Sequence, residues 1–256
     1  MTAENIAFAI STDRLLGGRL SLKQPQDGYR AAIDPVLLAA SVPAEAGDHV
    51  LDLGCGVGTA GLCLAARVAG ISVLGIDLQG DLVNLANRNA AANALASRVT
   101  FRVGDVLSFR DTGFDHVLVN PPYLARERAS ISPNPIKAMA NVEGAAGLAD
   151  WVACAIAAVK AGGSVTFIHR ADRGDELLAL MRRGLGDLRL LKLLPRREAA
   201  AKRIILRGVR GASPAFHELG PWVLHEADGR FTPPTEAVLR DAAALPLMDL
   251  PLTDRS

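Results

Sequence analysis

The sequence is poor in the features that would assign it to several common classes of protein. It has three cysteines in 256 residues, Cys55, Cys63 and Cys154, and they form no CxxC pair or Cys/His cluster. A disulfide framework and a structural zinc site are therefore not expected. No apolar run approaches the ~20 residues of a membrane-spanning helix, and residues 1–10 carry no basic segment typical of a signal peptide. We expect a cytoplasmic protein without a metal ion or a membrane partner.

The chain also lacks a strong net charge. Its formal charge is +1 at pH 7, and half of its residues are hydrophobic, so we expect a folded core and no highly charged partner for the chain as a whole. The segment 182–210 differs from the rest, since it contains ten basic residues and two acidic ones. Two interpretations of this segment stay open: an ordinary solvated surface, or a surface that binds the phosphates of a nucleic acid.

Predicted strands and helices alternate along the middle of the chain, which is typical of an α/β fold with a doubly wound, mostly parallel sheet. We predict strands at 49–53, 72–76, 99–103, 116–119 and 164–169, and helices at 60–68, 82–94 and 150–160. Two further strands, 188–194 and 203–208, flank a charged loop.

The residues before the first of these strands are predicted to form a separate lead-in. We divide the chain into residues 1–45, an N-terminal lead-in and substrate-side cap, and residues 46–256, the main domain with its C-terminal tail. Gly17-Gly18 predicts the turn of a short hairpin. Asp34-Pro35 predicts the start of a helix, with the aspartate as its cap and the proline in the first helical position.

A glycine-rich turn at residues 52–61 joins the first strand of the main domain to its first helix. Glycines there permit unusual backbone angles and the close approach of a ligand, although dinucleotide-binding domains use such a turn too. Asp77 ends the next strand, where a carboxylate can accept both hydroxyls of a ribose. Asp105 follows the third strand, where it can accept an adenine amine while the Val106 amide serves a ring nitrogen. Alternatively, Asp77 is a helix cap and Asp105 a turn residue.

Asn120-Pro121-Pro122-Tyr123 follows the predicted strand 116–119, at a carboxyl end where ligands bind in open α/β sheets. The Asn120 side-chain oxygen and the Pro121 carbonyl are two adjacent acceptors that suit a planar NH2 group. Tyr123 offers a face on which a flat base can stack. The motif resembles the signature of methyltransferases that act on exocyclic or amide nitrogen. The irregular stretch 126–147 is predicted to be a lid ordered by substrate.

Taken in order, these motifs resemble the bacterial tRNA adenine-N6 methyltransferases that modify the anticodon loop of valine tRNA, within the small-domain class I methyltransferases. Further motifs that carry the resemblance are residues 13–18, 75–77 and 167–170. It implies a class I, Rossmann-like fold that ends in an antiparallel hairpin. It also implies S-adenosyl-L-methionine as cofactor and adenine N6 in a tRNA as acceptor, with the RNA against the basic segment 182–210.

The resemblance and the motifs together predict the site residues. The predicted catalytic residues are Asn120, Pro121, Pro122 and Tyr123. The predicted cofactor-binding residues are Asp34, Asp52, Gly54, Cys55, Gly56, Gly58, Asp77, Leu78, Asp105, Val106 and Asn120. The chain departs from the family at residues 137–143, where many relatives carry an Arg-His-Glu run and only Glu143 is retained.

Three other functions compete with this interpretation. A protein glutamine methyltransferase would use the same Asn-Pro-Pro-Tyr motif, because a glutamine amide presents the same NH2 group. An RNA-binding module that holds the cofactor without turnover would not need the intact motif. A nicotinamide dehydrogenase would leave both the motif and Asp105 without a role. The basic segment 182–210 and the N-terminal residues favour an RNA acceptor over a glutamine.

Overall fold

The computed structural model describes residues 9–26, 33–122 and 145–253. Tyr123 and most of the predicted lid lie outside these residues. The strands are β1 (Ile10–Leu15), β2 (Leu20–Pro25), β3 (His49–Leu53), β4 (Ser72–Asp77), β5 (Val99–Val103), β6 (Phe114–Val119), β7 (Val159–Arg170), β8 (Leu185–Leu194), β9 (Arg203–Arg210), β10 (Phe216–Glu218) and β11 (Trp222–Val223). The helices are α1 (Asp34–Ser41), α2 (Thr59–Arg67), α3 (Gly80–Ala92), α4 (Leu148–Ala158), α5 (Gly174–Met181) and α6 (Pro233–Asp241).

Within the described residues, β3 to β11 form one nine-stranded sheet in the order β10-β8-β9-β7-β6-β3-β4-β5, with β11 also paired to β8. The strands β3 to β7 run parallel, and β9 is antiparallel to both β7 and β8. The predicted doubly wound sheet with a C-terminal antiparallel hairpin is confirmed. The chain leaves β3 towards β4 and returns on its other side at β6, so the switch point where such sheets bind ligands lies beside β3.

Apolar side chains cover both faces of the central strands, as expected for a parallel sheet. Val50 and Leu118 pack on one face with the helices α1 to α3 and with α6. Their chain neighbours Leu51 and Val117 pack on the other face with α4 and α5. Because strand side chains alternate, each continuous apolar run supplies both layers.

The predicted N-terminal hairpin is present, since β1 and β2 pair antiparallel across a short 3-10 turn at Leu16–Gly18. One side chain of α3 and one directly after it hold the hairpin against the main domain: the Asn89 Oδ1 accepts from the Lys23 amide at 2.9 Å, and the Asn93 Oδ1 accepts from the Ser21 amide at 2.8 Å. The division of the chain at residue 45 stays a prediction.

Two local expectations are corrected. The helix α1 begins at Asp34, but Ile33 occupies the cap position and no side chain caps the helix. The Asp34 carboxylate instead accepts from the Arg203 Nε at 2.8 Å, because a guanidinium on β9 is its neighbour in the folded chain. In addition, α4 ends at Ala158 and β7 begins at Val159, because β6 already pairs there through Phe114.

Candidate functional site

A cavity of about 220 Å³ opens at the carboxyl ends of β3, β4, β5 and β6. Most of the predicted site residues that the structure describes line it: Asp52, Gly54, Cys55, Gly56, Asp77, Leu78, Asp105, Val106, Asn120, Pro121 and Pro122. Asp34 and Gly58 do not, although their chain neighbours Pro35, Val57 and Thr59 do. The parallel topology therefore gathers residues that lie far apart in the sequence.

Backbone geometry explains the glycines of the turn after β3. Gly54 and Gly58 have φ of 80° and 85°, a region that side chains with a Cβ rarely adopt. A Cβ on Gly54 would lie 2.7 Å from the Trp151 ring, and one on Gly58 would lie 2.6 Å from the Phe101 ring. The φ of Gly56 is also positive, but a Cβ on Gly56 would meet nothing within 4 Å. The turn is thus packed at two of its glycines and open at the third.

The carboxylate of Asp77 holds this turn from the end of β4. Its Oδ2 accepts from the Gly56 amide at 2.9 Å, and its Oδ1 accepts from the Gln79 amide at 2.9 Å. Burial raises the pKa of Asp77, while the backbone hydrogen bonds lower it. The cap position of α3 is Gln79, and no side chain caps that helix, so the helix-cap interpretation of Asp77 is wrong. Its two hydrogen bonds hold the residue that precedes α3 and the glycine-rich turn.

Asp52 lies at the bottom of the cavity and is 2% exposed. Its Oδ2 accepts from the Gly61 amide in the first turn of α2 at 2.8 Å. Burial, which outweighs that hydrogen bond and is assisted by the charge of Asp77, raises the pKa of Asp52 to about 7. Burial next to these two carboxylates also raises the pKa of the Cys55 thiol. Cys55 therefore lines the cavity as a protonated thiol, which is a poor nucleophile.

The Asn120-Pro121-Pro122 turn forms the wall beside β6. Leu118 points to the α1 side of the sheet, and Asn120 continues that alternation. The side of the cavity beyond β5 is formed by Asp105 and Val106, and the Asp105 Oδ1 accepts from the Leu107 amide at 3.0 Å. Asp105 therefore closes its own turn, as the alternative interpretation predicts, and also lines the cavity.

Trp151 completes the cavity and was not among the predicted site residues. It lies in the first turn of α4, is 8% exposed and packs against Gly54. In the part of the chain that the structure describes, its indole Nε1 has no hydrogen-bond partner. The sequence signals only an apolar position on an amphipathic helix, because tertiary packing alone decides which helix face meets the cavity.

The histidines of β6 and β7, His116 and His169, do not line the cavity. His116 shares hydrogen bonds with the Asp48 carboxylate at 3.1 Å and the Ser164 hydroxyl at 2.8 Å, and burial lowers its pKa. His169 is fully buried on β7, and burial and the charge of Arg173 lower its pKa to about 4. Both imidazoles are therefore neutral at pH 7, which is consistent with structural roles.

Strand register divides the basic segment 182–210 between opposite edges of the sheet. Arg203 pairs with Arg170 at the carboxyl end of β7, so the β8–β9 loop lies at the same edge as the cavity. At the other end of β9, Arg210 pairs with Leu185. The start of the segment, which precedes Leu185, therefore lies at the opposite edge.

The side chains of the segment also differ in what they contact. Arg207 is 4% exposed, and its guanidinium donates to the Met248 sulfur at 2.7 Å. Lys192 pairs with Glu218 at 2.6 Å on the outer part of the sheet. The basic residues that are exposed in the β8–β9 loop are Arg196, Arg197 and Lys202, and the acidic Glu198 is exposed among them. The segment is not one continuous basic surface.

Two further features of the described residues bear on the class of protein. None of their helices has both the length and the apolarity that crossing a membrane requires. No group of three His, Cys, Asp or Glu side chains among them is placed to hold a metal ion.

Comparison with known proteins identifies the domain that contains the cavity. Residues 32–141 match the family model described as methyltransferase small domain. Over 205 residues the chain is 28% identical to the tRNA1(Val) (adenine(37)-N6)-methyltransferase of Aeromonas hydrophila. The aligned residues are 79% of this chain and 85% of that protein.

Solved structures support the same conclusion about the fold. A crystal structure of a predicted O-methyltransferase, Atu636 from Agrobacterium tumefaciens, aligns with a TM-score of 0.70 at 25% identity, over 83% of this chain and 98% of that chain. A geranyl diphosphate methyltransferase solved in complex with S-adenosylmethionine aligns with a TM-score of 0.53 at 16% identity, over 69% and 84%. The chain therefore has the fold of the class I methyltransferases, its residues 32–141 match their small domain, and its cofactor is S-adenosyl-L-methionine.

Proposed function

We propose that this protein transfers a methyl group from S-adenosyl-L-methionine to an exocyclic amino nitrogen, adenine N6 in a tRNA anticodon loop, in the cytoplasm. The observation that carries the proposal is that the Asn120-Pro121-Pro122 turn lines the same cavity as the glycine-rich turn and Asp77. The relative from Aeromonas hydrophila is named for adenine N6 in a tRNA. Residues 1–45 would form the substrate-side cap, since Pro35 lies on the cavity wall.

The residues around the cavity fit the cofactor. Gly56, whose missing Cβ leaves open space, would let the ligand approach the backbone, and the partly buried Asp77 would accept hydrogen bonds from ribose hydroxyls. Asp105 and Val106 would receive the adenine, with the exposed Leu78 side chain beside it. Asp52, buried below the turn, would lie near the methionine part. The cofactor supplies an electrophilic methyl group on a sulfonium.

Asn120 and the Pro121 carbonyl would orient the acceptor nitrogen. Each accepts one N–H of the amino group, which turns the nitrogen lone pair towards the methyl donor and stabilises the positive charge that develops on that nitrogen. Positioning supplies much of the remaining rate. No strong general base is required, because the methylated ammonium is acidic and loses its proton to water afterwards. This fits a cavity in which no described lining residue is His or Lys.

The same acceptors suit a glutamine amide, so a protein glutamine methyltransferase is the second candidate. The exposed basic residues Arg196, Arg197 and Lys202 at the cavity edge favour a polyanionic acceptor over a protein. A hydroxyl acceptor, as expected for the predicted O-methyltransferase Atu636, needs a base to remove its proton before or during transfer. The Asp52 carboxylate, whose burial raises its pKa to about 7, accepts from the Gly61 amide through Oδ2 at the bottom of the cavity.

A methyl-transfer assay with labelled cofactor tests the proposal. The purified protein is offered unmodified tRNA, or a release-factor-type protein with a glutamine-containing loop, and labelled RNA is digested to nucleosides. We expect label in N6-methyladenosine. Label in the protein substrate alone, or in a ribose methyl group, would overturn the adenine-N6 assignment. Asn120→Ala serves as the negative control, because it leaves the glycine-rich turn unchanged.

A further inference from the structure

Two arginines face each other across the strands next to the catalytic turn. Arg170 is the last residue of β7, and Arg203, the first residue of β9, is its direct partner in the antiparallel register. Like charges placed directly opposite each other destabilise a sheet. The two charges also interact: the hydrogen bond to Asp172 raises the pKa of Arg170, and the charge of Arg203 opposes that shift. Packing of the sheet gives no reason for this pair.

Both arginines project to the face of the sheet that carries the cavity. Ile168 and Ile205, two residues away from them along each strand, pack in the core layer with α1 to α3, so the alternation of side chains puts Arg170 and Arg203 on that face. The Arg203 Nε donates to the Asp34 carboxylate at 2.8 Å, and the next residue, Pro35, lines the cavity. Arg170 lies on β7, the direct neighbour of β6, and Arg203 lies one strand further away on β9, about 10 Å from β6 at ordinary strand spacing.

We infer that Arg170 and Arg203 form the subsite for a backbone phosphate of the acceptor RNA, next to the nucleotide whose base Asn120 holds. This rests on the proposed function. A base inserted at Asn120 leaves its sugar and phosphates at the carboxyl edge, where two guanidinium groups can each bind phosphate oxygens with paired N–H groups. A glutamine side chain would carry no group for such a subsite.

The carboxylates that now contact the two arginines hold them ready for this ligand. Asp172 accepts from the Arg170 Nε at 2.9 Å, and Asp34 accepts from Arg203. The side chains of Arg170 and Asp172 are 37% and 49% exposed, and an ion pair this open to solvent contributes little stability. A phosphate can therefore replace Asp172 on Arg170 at little cost. The pair of Arg203 with Asp34 is more sheltered, since Asp34 is 14% exposed, and it fixes Arg203 at the cavity edge, where a phosphate can join it.

The test measures binding of a synthetic anticodon stem-loop RNA in which each phosphate in turn is replaced by an uncharged methylphosphonate. For the wild-type protein we expect one linkage whose neutralisation weakens binding about tenfold or more, the size of a charge-assisted contact. The double variant Arg170→Gln with Arg203→Gln should bind the unmodified RNA weaker by a similar factor. Neutralising that linkage should not change the affinity of the double variant. The slope of log affinity against log salt concentration should also become less steep by about 0.7.

The matched control is Arg182→Gln with Arg183→Gln, which removes two exposed positive charges at the opposite edge of the sheet. It should keep the affinity and the sensitivity to that linkage. Unchanged cofactor binding and an unchanged unfolding midpoint show that each variant is folded. The inference is overturned if Arg170→Gln with Arg203→Gln keeps wild-type affinity or still senses the same linkage, while the wild type methylates RNA. If the wild type methylates only protein, both the inference and the proposed function are wrong.

Discussion

The two glycines Gly56 and Gly58 provide a sharp test of how the cofactor turn is built. Both have positive φ, so alanine at either position carries the same kind of backbone strain, about 1–2 kcal/mol. The two differ in their surroundings. A Cβ at Gly58 would lie 2.6 Å from the ring of Phe101, which is 5% exposed and has no space to retreat into, whereas a Cβ at Gly56 would meet nothing within 4 Å.

We therefore expect opposite patterns from two substitutions of equal size. Gly58→Ala adds overpacking, typically about 1–3 kcal/mol, to the strain, so its free energy of unfolding should fall by about 2–5 kcal/mol. The free energy of unfolding of Gly56→Ala should fall only by the cost of the backbone strain, about 1–2 kcal/mol. Gly56 lines the cavity and Gly58 does not, so Gly56→Ala should weaken S-adenosyl-L-methionine binding about tenfold, as crowding of a little over 1 kcal/mol does.

Urea denaturation of the free protein measures stability, and isothermal titration calorimetry with S-adenosyl-L-methionine measures affinity. The substitution Phe101→Leu in the Gly58→Ala background isolates the steric part, because it removes the ring and leaves the strain at φ of 85°. The double variant should recover part of the stability lost. The reasoning is refuted if Gly56→Ala is the more destabilised of the two, or if Phe101→Leu adds its own cost without any recovery.

Three further substitutions test individual roles at the cavity. Asn120→Ala should lower turnover about 10²–10³-fold, the range for loss of one transition-state hydrogen bond, with cofactor affinity nearly unchanged; an equal loss of both would mean that the residue is structural. Asp77→Asn should weaken cofactor binding at least about tenfold. The control Asp81→Asn, on the exposed surface of α3, should leave it unchanged. Equal cofactor affinities of these two variants in calorimetry would contradict the ribose role of Asp77. Because burial raises the pKa of Asp52 from 3.8 to about 7, folding favours its protonated form. The wild-type free energy of unfolding should therefore fall relative to that of Asp52→Asn as pH rises from 3.8 to about 7. Parallel urea titrations over this range would contradict the assignment if the difference stayed constant.

Prediction from the sequence succeeded where the signal is local. The strands β3, β4 and β6 are mainly apolar and lie next to glycine, aspartate or asparagine, and such segments indicate a buried strand largely by themselves. The strand β5 instead alternates apolar and polar residues. The short strand β10 and the two-residue strand β11 were missed, as were α5 and α6. β10 and β11 owe their extended conformation to pairing with β8, which is a tertiary contact without a local signature.

The site shows the same limit at the level of single side chains. Asp77 and Asp105 were predicted because the end of a parallel strand has a known position relative to its neighbours. Asp34 was predicted as a helix cap, but an arginine 169 residues later in the chain is its partner. No pattern of residues near Asp34 reports a charge that arrives from β9.

The sequence by itself determined the order of the strands' apolar runs, the glycines that relieve backbone strain, and the acidic and Asn-Pro-Pro residues that follow the strands. These depend on local conformational preference and on the period of the elements. Only the tertiary structure decided that Trp151 closes the cavity, that the basic segment 182–210 is split between two edges, and that Arg170 meets Arg203. The physical reason is that register and helix orientation result from the packing of the whole core, and a strand shifted by one residue would turn each of these side chains to the opposite face.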